Sequence, residues 1–401
     1  MRSGKIMTRK ISAVEVSSHA KRWIDPHLKF EDAGPKCKAS VVLGILLIAA
    51  SKLSSIFAAC RDLANAPTDQ AIRNALNKQL PEMAELEARL NAALATPVPS
   101  IVFRRQRDAA IDLTLIPYHG QPDQDPNELY HSLAKSGTTK FHAYATLYVI
   151  HEGQRYTLAV TRVPKGEKMP EVVKRLLRMA RIRGLKLRIL LLDRGFFSTQ
   201  VIDYLKRSRT PFLMPVMFRG RKPTVPAKLA ASLHQFLTKT SGWHRFMLSG
   251  KGGNQNVSIC VSAKFYVHEK TQKKRLKRMV FACWEPPASR VLRRLSPECV
   301  REWYRRRFAI ETSYRQMHQA RVRTCTRCPK LRYLFFALAL ILRNVWVWLH
   351  YFVFADVRGE APSLRLELLR FRRMLAWIAS VEIDTLHDGK PPSIEWMPNI
   401  A

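Results

Sequence analysis

Residues 107–120 read RDAAIDLTLIPYHG, and the alternation inside them sets the architecture. Asp108, Ala110, Asp112, Thr114 and Ile116 fall on one face of an extended segment and Ile111, Leu113 and Leu115 on the other. That period of two predicts a strand ending at Pro117. Downstream, HAYATLYVIHEG (142–153) and QRYTLAVTRVPKG (154–166) read as two more strands joined by a turn at Glu152 and Gly153, giving an antiparallel meander. A basic helix is predicted over 170–183, followed by LKLRILLLDRGFF (185–197), a short apolar strand that stops at Asp193. The helix STQVIDYLKR (198–207) and the strand PFLMPVMF (211–218) complete a βαβ unit with parallel pairing.

Upstream, residues 1–100 read as helical. KLSSIFAACRDL (52–63) and TDQAIRNALNKQL (68–80) are separated by ANAP, with Thr68 as a plausible N-cap. This fits a helix-turn-helix whose second helix, carrying Gln70, Arg73, Asn74 and Lys78, enters a major groove; it fits a plain helical hairpin equally well. Pro97 and Pro99 mark a boundary near 100. Residues 219–290 are Lys- and Gly-rich with strand-like pieces (WHRFMLSG, NVSICVSAKFYV, RMVFACWE) and read as a β-rich insertion. A helix opens at Ser296 and Pro297, a favourable N-cap and first-turn pair. The expected division is thus 1–100 helical and DNA-binding, 101–218 first part of the core, 219–290 insertion, 291–355 second part of the core, and 356–401 a helical segment and tail.

The 401 residues hold 68 Lys plus Arg against 31 Asp plus Glu, a net charge of +37. Basic residues run from Arg2 to Arg373, which implies a large folded surface for a polyanion rather than a charged tail. A 47% hydrophobic content supports real cores in two or three domains and argues against general disorder. The apolar run 333–354 is interrupted by Arg343, Asn344 and His350, so a buried core helix is expected rather than a membrane span. The start MRSGKIMTRK lacks the apolar region of a secretory signal, and the expected location is cytoplasmic, nucleoid-associated through DNA. Seven Cys with no regular framework fit a reducing compartment, and the lone CxxC at Cys325 and Cys328 lacks the second pair that structural zinc wants.

A strand with a central Asp, two antiparallel strands, a helix, a strand ending in Asp and a late helix with a Glu form the ribonuclease-H-like order within an α/β class. In that fold the first strand neighbours the fourth, so Asp112 and Asp193 meet at one sheet edge. The late helix comes from EWYRRRFAIETSYRQMH (302–318), where Tyr304, Arg307 and Glu311 stand at i, i+3 and i+7, on one helix face. Three acids suit two Mg²⁺ ions, with Mn²⁺ as a substitute, for in-line phosphodiester displacement. Asp108 shares the Asp112 face but lies amid Arg104, Arg105 and Arg107, which suggests a surface ion pair.

Over roughly residues 40–355 the chain resembles the DDE transposases of the IS4 type, most closely the ISH3 group. The carriers are IDLTLIPYHG around Asp112, LLLDRGFFS around Asp193, YRRRFAIETSYRQ around Glu311 and RNVWVWL at 343–349. That family spaces Tyr, two residues, Arg, three residues, Glu, six residues, Lys; Tyr304, Arg307 and Glu311 match, and His318 stands where Lys is usual. The resemblance implies Asp112, Asp193 and Glu311 as metal ligands, with Tyr304, Arg307 and the His318 position on DNA phosphates; Arg194, by its place beside Asp193, is either structural or on DNA. It also implies an insertion aromatic that stacks on a flipped base if ends are released as hairpins; Trp243 and Trp284 are the candidates, though each is more often a core tryptophan. The expected activity is cleavage at terminal inverted repeats and joining to target DNA, by a homodimer or higher assembly on DNA. A DNA-binding protein without catalysis and a ribonuclease-H-like nuclease are the competing readings.

Overall fold

The computed structural model describes residues 9–63, 66–151, 154–267, 272, 274–289, 291–354, 366–387 and 393–396. The expected turn at Glu152 and Gly153, the Glu311 side chain and most of the tail from Gly389 lie outside the described residues. The chain forms two compact units, each assembled from separated stretches. Unit one takes Met1–Val102, Thr114–Gly166 and Glu311–Ala401; unit two takes Phe103–Leu113 and Glu167–Ile310.

Unit one begins with strand β1 (Arg9–Ser12) and helices α1 (Ala13–Leu28), α2 (Ala39–Ser51), α3 (Ile56–Arg61), α4 (Asp69–Gln79) and α5 (Met83–Ala95). A short helix, α6 (Ile101–Arg104), leads to β2 (Arg107–Pro117), and unit one then gains β3 (Tyr130–Lys135), β4 (Thr138–His151) and β5 (Gln154–Val163). Unit two follows with α7 (Met169–Ile182), β6 (Leu187–Leu192), α8 (Thr199–Arg207), β7 (Phe212–Pro215), α9 (Pro226–Ala230), β8 (Gly242–Leu248), β9 (Gln255–Val267), β10 (Lys274–Trp284) and α10 (Pro297–Arg305). The chain ends with α11 (Ala309–Met317), α12 (Pro329–Trp348), α13 (Phe371–His387) and β11 (Ser393–Trp396).

Helix starts follow the sequence signals. Ser12 and Glu15 close a capping box on α1, Thr68 accepts the Ala71 N–H at the head of α4, and Ser296 caps α10 with Pro297 in its first turn. The N-terminal region is not all helical, however, because β1 pairs antiparallel with β11 in a two-stranded sheet. The first helix expected over 52–63 is also shorter, since Ser55 caps α3 and starts it at Ile56.

In unit one, β5 pairs with β4 alone, so its other edge carries backbone groups that need partners. Two buried asparagines supply them. Asn91 of α5 accepts from Val160 N–H at 2.7 Å and donates to its carbonyl at 2.8 Å. Asn344 of α12 accepts from Thr157 N–H at 3.0 Å and donates to its carbonyl at 2.7 Å. Arg343 Nη1 adds a bond to the Arg155 carbonyl at 2.7 Å. The polar residues that interrupt the apolar run therefore tie α12 to a sheet edge. By length and composition Pro329–Val353 could cross a membrane, yet 78% of its most apolar window is buried inside the protein, as for a core helix.

Unit two holds a mixed sheet. The first half of β2 runs parallel to β6, and β6 runs parallel to β7. β10 then pairs antiparallel with β7, Phe281 to Pro215 through Trp284 to Phe212, and β9 and β8 follow antiparallel. The strands expected as an insertion thus continue the sheet from the edge of β7.

His350, in the π-helical turn Leu349–Val353 after α12, is fully buried, and its Nε2–H donates to the Leu369 carbonyl at 2.8 Å. Burial lowers its pKa from 6.5 to about 4, outweighing the Leu369 bond and Glu367. Because the folded pKa lies below the unfolded one, His350 contributes stability above pH 6.5 that is lost as pH falls towards 4. Between pH 7 and pH 5 this single group should cost about 2 kcal/mol. Urea midpoints at the two pH values, for the unaltered protein and His350→Gln, check it; an equal fall in both would remove His350 as a cause.

Candidate active site

The register of two neighbouring strands brings the first two acids together. Ile111 of β2 pairs with Leu192 of β6, and the next residue on each strand is an aspartate, Asp112 and Asp193. Adjacent strands lie about 4.8 Å apart, so the two side chains leave neighbouring positions of one sheet edge. The apolar run Leu190–Leu192 is fully buried and fixes the end of β6, whereas the Asp193 side chain is 43% exposed and that of Asp112 15%.

Helix α10 supplies the third element. Tyr304 is 1% exposed, and its hydroxyl donates to the Leu192 carbonyl at 3.2 Å, the peptide that leads into Asp193. Burial raises its pKa, against the lowering effect of Arg307. Arg307 is 5% exposed; its Nη2 donates to Asp193 Oδ1 at 3.0 Å, and its Nη1 lies 3.5 Å from Asp112 Oδ1. Burial opposes the guanidinium charge, but Tyr304, Asp112 and Asp193 outweigh burial and raise its pKa. One buried cation therefore joins both carboxylates.

The expected single helix over 302–318 is interrupted. α10 ends at Arg305, a 3₁₀ turn spans Arg306–Phe308, and α11 begins at Ala309. The Arg306 N–H bonds to the Trp303 carbonyl as well as that of Tyr304, a tightened last turn in which Arg307 follows Tyr304 inward. The i, i+3, i+7 face is thus not one continuous α-helical face. Glu311 sits in α11, and its side chain lies outside the described residues.

Asp108 corrects the surface-pair expectation. It is 3% exposed and takes both Nε and Nη2 of Arg188 at 2.6 Å, while Trp303 Nε1–H donates to its Oδ2 at 2.6 Å. The Arg188 guanidinium stacks 4.9 Å over the Trp303 ring. This network fastens α10 to β2 and β6 one turn before Arg307, so it holds the site without belonging to it. The available signal was Asp108 sharing the Asp112 face and Trp303 preceding Tyr304.

The other candidates are dispersed. Arg194 is exposed immediately after Asp193. His318 opens a 3₁₀ turn after α11 and is half-buried; burial, then Arg321 and Lys135, lower its pKa, so it is neutral near pH 7 and carries no Lys-like charge. In α4, Ile72, Ala75 and Leu76 are buried, Arg73 pairs with Asp69, and Asn74 and Lys78 are exposed. Trp243 is half-buried with its Nε1–H on the Leu295 carbonyl at 3.0 Å, and Trp284, also half-buried, pairs with Phe212.

The donor set fits a cation. Two carboxylates share one positive group and offer the oxygen donors that a divalent ion takes, although among the described residues no three Asp, Glu, His or Cys side chains gather. Residues 104–345 match the transposase DDE domain, a span that contains Asp112, Asp193 and the α11 helix. No curated protein matches the sequence. Among solved structures, the chain is similar to piggyBac transposase in a cryo-EM structure of its synaptic complex with hairpin DNA. The identity is 11% and the TM-score 0.52, over 93% of this chain and 78% of that one, a likeness of fold. With more than half its length matched and two of the acids paired on adjacent strands, the chain belongs to the transposase DDE domain family and is a DNA transposase.

Proposed function

We propose that this transposase binds the terminal inverted repeats of its own mobile element, cleaves them hydrolytically and joins the freed 3′-hydroxyl to target DNA. The register that sets Asp112 beside Asp193, both held by Arg307, carries the reading. Asp112 and Asp193, with Glu311 as the third acid, would hold two Mg²⁺ ions, or Mn²⁺ in their place. Such ions neutralise charge on the phosphoryl oxygens and stabilise the attacking and leaving oxygens.

The chain's own residues do the positioning. Tyr304 fixes the peptide before Asp193, and Arg307 bridges both carboxylates until a DNA phosphate competes for it. Arg194 stands exposed beside that point for a backbone phosphate, and neutral His318 offers a hydrogen bond rather than charge. Lys78 and Arg73 on α4 would read or grip the repeats, with region 1–100 as the recognition part; Trp243 or Trp284 would receive a flipped base. The finer assignment is to the IS4 type and its ISH3 group. The piggyBac protein is described in a synaptic complex with hairpin DNA, which supports a dimer or larger assembly pairing two ends.

The test uses the DNA that flanks the gene. Full-length protein, Mg²⁺ and a labelled end fragment should give a nick at the element boundary, and a pre-cleaved end should become covalently joined to plasmid. Hydrolysis without joining would make the protein a nuclease and overturn the reading.

A further inference from the structure

A cavity of about 620 Å³ opens in unit one, and neither Asp112 nor Asp193 lines it. Its wall carries Arg321, Arg323, Arg327 and Arg332 with His142 and Tyr118, and no Asp or Glu lines it. Three of these arginines come from the segment 321–328, where Thr324 and Thr326 each accept a backbone N–H two residues on, at 3.1 and 3.2 Å. Arg332 stacks 4.5 Å over Tyr118 and donates to the Thr326 carbonyl at 2.6 Å. Among the described residues none of the four is in an ion pair with a carboxylate, so four like charges share one wall with no acid to offset them.

A second observation points inward. His142 of β4 is 4% exposed, its ring lines this cavity, and its buried Nε2 has no hydrogen-bond partner. Burial, then Arg332 and Arg162, lower its pKa from 6.5 to about 3, so at neutral pH the ring can give Nε2–H to an oxygen. Arg321 is likewise depressed by burial and by Arg332 and Arg323, which outweigh Tyr144. Both features suit an acceptor that brings negative charge.

We infer that this cavity seats backbone phosphates of a DNA strand, gripped by Arg321, Arg323, Arg327 and Arg332 with His142 donating at its floor. A strand is favoured over a lone anion because the segment continues into a second cavity of about 480 Å³. That cavity is lined by Arg323, Thr324 and Cys325 together with Ser55, Phe57 and Arg73 of the α3–α4 region. The inference rests on the reading that the protein acts on DNA.

The experiment measures affinity of the full-length protein for a labelled duplex across a salt series. For Arg323→Gln with Arg327→Gln, both exposed positions, the slope of log K against log salt should become shallower by about two units, one for each phosphate no longer neutralised. Arg323→Lys with Arg327→Lys should keep the slope. In the unaltered protein, the His142 imidazole resonances should shift and its pKa rise when a short single-stranded oligonucleotide is added. An unchanged slope overturns the inference, and so does a His142 response to inorganic phosphate but not to oligonucleotide, which marks a free-anion site. Normal cleavage with an unchanged slope would sink the cavity and spare the transposase reading; failure of the unaltered protein to bind any DNA would sink both.

Discussion

Asp193→Asn is expected to reduce Mg²⁺-dependent cleavage by about 10³-fold or more, at least ~4 kcal/mol of barrier, while DNA affinity stays within a few-fold. The amide keeps the size of the side chain and an oxygen for Arg307 Nη2, now 3.0 Å away, so the local hydrogen bond survives. What disappears is one of the charges that a divalent ion requires. Asp112→Asn should behave alike, because its carboxylate stands at the adjacent register position. Asp108→Asn is the informative contrast. It lies on the same strand face, but its charge balances Arg188 and Arg306, so its removal should appear as a lower unfolding midpoint rather than as a folded protein without activity. Single-turnover cleavage, DNA binding and urea denaturation on all three variants separate these outcomes. Retained cleavage in Asp193→Asn would remove the site from the chemistry.

The parts of this site that could be read in the sequence were those written in local periodicity. Alternation over 107–117 gave β2, and an apolar run ending in Asp193 gave β6, so two acids at neighbouring strand ends followed once the order of elements was read as ribonuclease-H-like, with the first strand beside the fourth. Pairings set by distant chain were not legible. Nothing local to 274–284 says that β10 will lie antiparallel to β7, and the textural change at 219 suggested a separate body instead. Asp108 misleads for a related reason: its neighbours in sequence are arginines, but its partners in space are Arg188 and Trp303, reached through strand pairing and helix docking. The spacing of Tyr304, Arg307 and Glu311 was read on one unbroken helix, whereas the structure divides that stretch between α10 and α11. The 3₁₀ turn at Arg306–Phe308 arises where Arg307 turns towards two carboxylates, a tertiary pull that local propensity does not encode.

Arg307→Gln should destabilise the metal-free protein by about 1–3 kcal/mol, less than the full cost of breaking a buried ion pair because Asp193 is partly solvated. Asp112 and Asp193 would then face each other without the guanidinium that reaches both, and Tyr304 would be deprived of the cation 5.5 Å from its ring centroid. The same variant should gain more from divalent ions than the unaltered protein does. Arg307 occupies the carboxylate oxygens that an ion would take, so in its absence Mg²⁺ or Mn²⁺ meets two acids and no resident cation. At an ion concentration about 100 times its dissociation constant, binding returns roughly 2.7 kcal/mol, enough to recover much of the deficit. Arg307→Lys should fall between the two, since an ammonium keeps the charge but cannot bridge both carboxylates with a planar fork. Thermal or urea unfolding with a chelator and then with each ion measures both effects without any DNA present. Equal stability and equal ion response in Arg307→Gln and the unaltered protein would show that the carboxylates are not organised around that guanidinium. If the two responses diverge as expected, Arg307 is the group that a metal ion must displace from the acids when the site fills.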